Sequence, residues 1–255
     1  MGVPSAVIIP LGSYRDLDAL RKTVMLASSM EIASIYFEEQ SDSELDPFVI
    51  AGLVAQNHLE LAVGVLVTLS AGRPPSILAK LTTGIDVTSQ GRGRLVLGGS
   101  SVELLEDAER YNEAYLLIRE MCTQDSTTMA GAFFHVDDAW NRPRIEDRPD
   151  RSSIVSIATD GAELLRLLRD GTRLAPVSLV EIASLTDQER EQLVAELRVV
   201  DQSISATGVI TVDLETTEVL RVPALGLFDQ VALRFEALPT REQFISVMSR
   251  FEPDQ

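Results

Sequence analysis

Residues 73–100 read RPPSILAKLTTGIDVTSQGRGRLVLGGS, and their pattern decides the fold. Two prolines open an apolar helix over 75–87, with Ile77, Leu78, Leu81 and Ile85 spaced for one face. A polar turn with Gly91 and Gly93 follows, then a short strand from Arg94 to Gly98. The strand opens into Gly98, Gly99, Ser100 and Ser101. This is a helix feeding a parallel strand whose C-terminal end is loosened by glycine.

The same rhythm runs outward in both directions. Ala6–Pro10 is a first strand, and Ser13–Asp16 is a capping box before a helix carrying Leu17, Leu20, Val24 and Ala27. Ile32–Phe37 is a second strand. Asp46 and Pro47 are an N-cap and a first helical residue. The helix they open, FVIAGLVA, is apolar nearly all round and asks for burial on two sides. A subunit interface through the helix at 47–57 satisfies that, as does a cover supplied by the same chain. Leu59–Val67 is a third strand, and Ala108, Tyr111, Ala114, Tyr115, Ile118 and Met121 mark a long amphipathic helix.

An excursion at about 126–151 breaks the alternation, with a hairpin at 127–136 and Gly131 near its turn. Strands resume at 154–157, 174–180, 209–214 and 231–235. Capping boxes at Asp160/Glu163, Thr186/Glu189 and Thr240/Gln243 open the helices between and after them, and Gly171 is a C-terminal stop. About eight strands alternating with helices predict a (β/α)8 barrel, TIM-barrel-like, with an irregular or shortened region around 173–225. A doubly wound sheet is the alternative, but no GxGxxG follows the first strand.

Composition narrows the function. Acidic residues number 39 against 22 basic ones, a net charge of −17, which repels nucleic acid and anionic membrane surfaces. No apolar run reaches the ~18 residues of a membrane span, and the first residues show no signal-peptide pattern. Cys122 is the single cysteine, so no internal disulfide forms, and a cytoplasmic setting is expected. Cys122 itself reads as a buried small hydrophobe. No cysteine–histidine cluster has metal-ligand spacing, and no P-loop or GxSxG pattern occurs.

DPFVIAGLVAQNHLELAVGVLV, the stretch at 73–99 and YNEAYLLIREMCTQDSTTMAGAFFHVDDAWNRPR together resemble the luciferase-like flavin monooxygenases, a family with deazaflavin-dependent members. LFDQVALRFEALPTREQFISVMSRF is similar to that family's closing strand and helix. The resemblance implies one barrel domain over 1–255, an oligomer packed through its second and third helices, and FMN or the deazaflavin F420 at the C-terminal mouth. It implies a small organic substrate. Thr68, Gly98, Gly99, Ser100 and Thr159 are the expected cofactor contacts, and Glu38, Gln40 and His135 the candidate catalytic groups.

Two departures point to another reading. The second strand ends in Phe37-Glu38-Glu39-Gln40, where the family commonly has a histidine. Its simplest reading is an acidic strand exit exposed to water. After the fifth strand the family's glycine- and serine-bearing turn helps hold a flavin phosphate. Here that turn is Ala158-Thr159-Asp160-Gly161, and a carboxylate at a helix start caps the amides a phosphate would use. The alternative is a non-catalytic homologue with no cofactor, serving as the structural subunit of a heterodimer or as a binding protein; the apolar helix at 47–57 suits a homodimer or a heterodimer equally.

Overall fold

The computed structural model describes residues 5–12, 17–30, 32–40, 44–69, 72–98, 103–145, 154–170, 176–182, 184–200, 207–212, 228, 230–235 and 239–249. The capping box at 13–16, Gly99, Ser100, Gly171 and most of 213–229 lie outside them.

Strands β1 (Ala6–Leu11), β2 (Ser34–Glu39), β3 (Ala62–Val67), β4 (Gly93–Gly98), β7 (Val155–Asp160), β8 (Val177–Glu181), β9 (Thr207–Val212) and β10 (Gln230–Phe235) close into one barrel. Every neighbouring pair is parallel, and the ring closes where β10 meets β1. Helices α1 (Leu17–Ser29), α2 (Pro47–Asn57), α3 (Pro75–Thr88), α4 (Glu103–Thr123), α5 (Gly161–Arg169), α6 (Asp187–Val200) and α7 (Arg241–Ser249) connect or follow the strands. A two-stranded hairpin, β5 (Thr127–Ala130) and β6 (His135–Ala139), interrupts the alternation. The expected eight-stranded α/β barrel is therefore the observed fold. No described helix is long and apolar enough to cross a membrane.

The strands read as near-continuous apolar runs because both faces are covered. One face packs on the helices through residues such as Val7, Ile9, Ile35, Phe37, Val63, Val65, Leu95 and Leu97. The other fills the barrel with Ala6, Ile8, Leu66, Val96, Ala158, Leu179, Val209 and Ala232. Tyr36 also points inward, and Gly64 on the next strand makes room for its ring: a Cβ there would sit 2.2 Å from Tyr36 Cδ1. Burial pushes the Tyr36 phenol up, against the nearby Arg94 charge.

Local chemistry sets the helix ends. Asp46 accepts from the Phe48 and Val49 amides, with Pro47 in the first turn. Arg92 donates to the carbonyls of Ala55, His58 and Leu61, closing the other end of α2. Thr186/Glu189 and Thr240/Gln243 form reciprocal capping boxes, as expected.

Four expectations are corrected. β2 runs Ser34–Glu39 rather than 32–37, so both glutamates belong to the strand. The inner face of α3 is Leu78, Ala79, Thr82, Thr83, Ile85 and Asp86, while Ile77 is half exposed. Glu163 does not complete a capping box, because its Oε2 accepts from Thr159 instead. Finally, β8 and β9 each begin and end at shifted positions, at 177–181 and 207–212.

Candidate active site

In a barrel of this kind chemistry belongs at the C-terminal ends of the strands. β2, β8 and β10 each bring a charged side chain there. Glu38 and Arg234 face the interior, and Arg234 Nη2 donates to Glu38 Oε1 at 2.7 Å. The same guanidinium lies 3.8 Å from Glu181 Oε2, and that oxygen accepts from Thr211 at 2.8 Å. Glu38 and Arg234 are 9% and 8% exposed, so the pair is desolvated. Burial pushes the Glu38 carboxyl up; Arg234 opposes the shift by charge and hydrogen bond, and Glu181 adds to it. The exposed acidic strand exit expected from the sequence is thus a buried ion pair. Tertiary pairing outweighed the local pattern.

Glu39 points the other way. Arg73, in the loop before α3, reaches Glu39 at 2.8 Å and Asp46 at 2.9 Å, and stacks over the Phe48 ring at 5.4 Å. One arginine thereby ties the end of β2 to the start of α2. Burial raises the Glu39 carboxyl, Arg73 opposes it, and Asp46 reinforces it.

The expected contacts fall in different places. Thr68 follows β3 directly and is half-buried. Gly98 ends β4 with φ +115°, and a Cβ there would lie 2.2 Å from the Ala158 carbonyl oxygen, so only glycine fits. Thr159 is buried near the end of β7. Gln40, half-buried, follows β2. His135 is exposed in the hairpin, paired with Ala130. The turn of that hairpin is bound by Glu113 of α4, which accepts from the amides of Ala132, Phe133 and Phe134. His135 thus belongs to a hairpin whose turn is held to α4. Gly99 and Ser100 fall outside the described residues.

Asp160 does what its position implies. Its Oδ1 accepts from the Ala162 amide at 2.9 Å and the Glu163 amide at 3.1 Å. The start of α5 points at the mouth, and its free amides are what an anion there would bind. A carboxylate already holds two of them. The residues at this turn do not fit a phosphate.

Glu181, Thr211 and Arg234 were missed from sequence. Their signal was there: QVALRF and VSLVE each place one charge at an inward, every-second position of an otherwise apolar strand. Among the described residues, no group of three His, Cys, Asp or Glu side chains is placed to hold a metal.

Known proteins share this fold. The structure resembles a monooxygenase from Streptomyces bottropensis, with TM-score 0.58 and 14% identity over 81% of this chain and 70% of that one. It also resembles the oxygenating constituent of 3,6-diketocamphane monooxygenase from Pseudomonas putida, a type II Baeyer-Villiger enzyme solved with FMN. That likeness has TM-score 0.52 and 13% identity over 83% of this chain and 67% of that one. A third is the coenzyme F420-dependent tetrahydromethanopterin reductase of Methanopyrus kandleri, with TM-score 0.59 and 11% identity over 83% and 66%. No curated protein sequence matches the chain. The sequence model of the luciferase-like monooxygenases matches residues 10–198, spanning β1 to α6 and every described group of the mouth except Thr211 and Arg234. This protein belongs to the luciferase-like monooxygenase family.

Proposed function

We propose that the protein is a flavin-dependent oxidoreductase of the luciferase-like kind, acting on a small organic substrate with FMN or the deazaflavin F420. The observation that carries this reading is the convergence of Glu38, Glu181, Arg234 and Thr211 at the C-terminal end of the barrel. The FMN complex and the F420-dependent reductase among the similar structures supply the two cofactor classes. Of the candidate catalytic groups, Glu38 is the one set inside the barrel beside ionisable partners. Gln40 follows it at the strand end. Thr68, Gly98 and Thr159 stand near the ends of strands that open into the mouth, as cofactor contacts should. A phosphate held at α5 is not part of this reading, because Asp160 has its amides; such a cofactor has to find its anion donors elsewhere.

Asp160 favours a second reading: a non-catalytic homologue, a structural subunit or binding protein. In both readings the subunit contact is α2, whose Val49 and Leu53 are exposed. The setting in both is the cytoplasm, consistent with one buried cysteine.

Anaerobic titration of the purified chain with reduced FMN and reduced F420, by fluorescence and calorimetry, separates them. Micromolar binding of either is expected from the first reading. Binding of neither by a folded chain removes it and leaves the second.

A further inference from the structure

Two chemically identical carboxylates stand side by side at the end of β2. Phe37 is the last apolar anchor of the strand, fully buried, and Glu38 and Glu39 follow it. Consecutive strand residues point to opposite faces, so one glutamate enters the barrel and the other meets the helices. Each has its own arginine: Arg234 reaches Glu38 at 2.7 Å from inside, and Arg73 reaches Glu39 at 2.8 Å from outside.

The sheet holds this strand end unevenly. Pairing with β1 runs on to Glu39, opposite Leu11, while pairing with β3 stops at Glu38, opposite Leu66. Past that point the grip on the β3 side comes from Arg73, in the loop that leaves β3 for α3. Arg73 is itself fixed. It donates to Asp46 Oδ2 at 2.9 Å, stacks over Phe48, and sits between Gly72, with φ +79°, and Pro74. The other Asp46 oxygen caps α2 through the Phe48 and Val49 amides, so the anchor is the start of that helix.

The Arg73–Glu39 contact is not built for strength. Arg73 Nη1 and Glu39 Oε2 are buried, and neither has a partner among the described residues. One close N···O contact stands where arginine can offer a two-pronged fork. A buried donor and acceptor left unmet cost stability, and buried ion pairs seldom repay their desolvation. Such a pair does supply a fixed arrangement.

We propose that Arg73 is a positioning residue for Glu38: by holding Glu39 on the helix side of β2 it fixes the strand end, and so keeps the adjacent Glu38 inside the barrel on Arg234. Released from Arg73, Glu39 turns toward water, and the one peptide unit between the two residues carries Glu38 off its partner. That Glu38 serves chemistry at the mouth rests on the function proposed above; its holding by Arg73 does not.

Crystal structures of full-chain Arg73→Met, Glu39→Ala and Arg73→Lys test this, with NMR of the Arg234 guanidinium hydrogens in solution. Loss of the Glu38–Arg234 hydrogen bond is expected in Arg73→Met and in Glu39→Ala, with the Arg234 Nη2 hydrogens exchanging faster with solvent. Arg73→Lys is expected to keep the bond, because one contact rather than a fork has to be replaced. Lowered stability with the Glu38–Arg234 bond intact makes Arg73 merely structural and overturns the proposal. Should Arg73→Met fail to fold, Glu39→Ala decides: the bond intact there overturns the proposal as well. None of these readouts involves a flavin, so their failure is distinct from failure of the cofactor titration.

Discussion

Glu38 and Arg234 stand 196 residues apart in sequence and 2.7 Å apart in the barrel, although their strands are not neighbours. β1 lies between β2 and β10, so the two side chains reach past it inside the barrel. An ion pair with both members this buried leaves a costly charge behind when one is removed. Arg234→Met is expected to destabilise the chain by about 3–5 kcal/mol. Glu38→Gln, which keeps an acceptor and removes the charge, is expected to cost clearly less. Urea unfolding of both variants checks the order; a harmless Arg234→Met refutes it.

Protonation of Glu38 has a definite sign. Its carboxyl is raised in the folded protein, mainly by burial, so the native state holds that proton more tightly than the unfolded chain does. The stabilisation this gives is complete below the ordinary carboxylate value of 4.5 and is lost as pH rises through the raised one. Unfolding free energies of wild type and Glu38→Gln, measured from acid to neutral pH, are expected to differ in slope in that window. Parallel curves contradict the assignment.

Asp160 is a helix cap as well as an obstacle to anions. Asp160→Ala is expected to cost about 0.5–2 kcal/mol by denaturant unfolding, the range for losing an N-cap. Asp160→Ser keeps a capping oxygen and removes the charge, so its loss is expected to be smaller.

Tyr36 and Gly64 form a matched pair. Gly64→Ala drives a methyl into the Tyr36 ring and is expected to destabilise by about 1–3 kcal/mol. Tyr36→Leu in the same chain is expected to recover part of that. A double-mutant cycle measures the coupling, and strict additivity argues against the contact.

Val49 and Leu53 are 60% and 56% exposed on the outer face of α2. If that face is the subunit contact, Leu53→Lys is expected to give a folded monomer in analytical ultracentrifugation. An oligomer unchanged by the substitution moves the contact elsewhere.

Cys122 has the opposite character. It is fully buried between α3 and α4, its thiol pushed up to about 12 by burial. A thiol-specific reagent is expected to leave the native protein unmodified and to label one site after unfolding. Rapid labelling of the folded chain contradicts the packing.

The barrel was legible because its signals are local and repeated. Asp46–Pro47, the Thr186/Glu189 box and the Gly98 strand end each declare an element within a few residues. Asp160 was legible for the same reason: a cap is a property of three consecutive positions. Glu38 was misread because its partner lies on the last strand. With Arg234 out of view, two acidic residues after Phe37 resemble a strand leaving for solvent, and β2 was ended two residues early. Thr159 was expected in the turn after a strand ending at 157, but β7 runs on to Asp160 and includes it, and its bond to Glu163 depends on a helix turn that the capping pattern assigned otherwise.

The closure of β10 against β1 also constrains how the protein is made. Val7 is in register with Leu233, and the Ser5 amide bonds the Val231 carbonyl. At roughly 5–20 residues per second the ribosome takes on the order of tens of seconds to travel from one strand to the other. Throughout that interval β1 has one edge without its partner, and Glu38 waits with no guanidinium beside it. The nascent barrel is an open, curled sheet with two edges able to pair with other chains. Only the arrival of β10 removes both edges at once and neutralises the carboxylate, so this one strand turns a vulnerable half-shell into a closed ring.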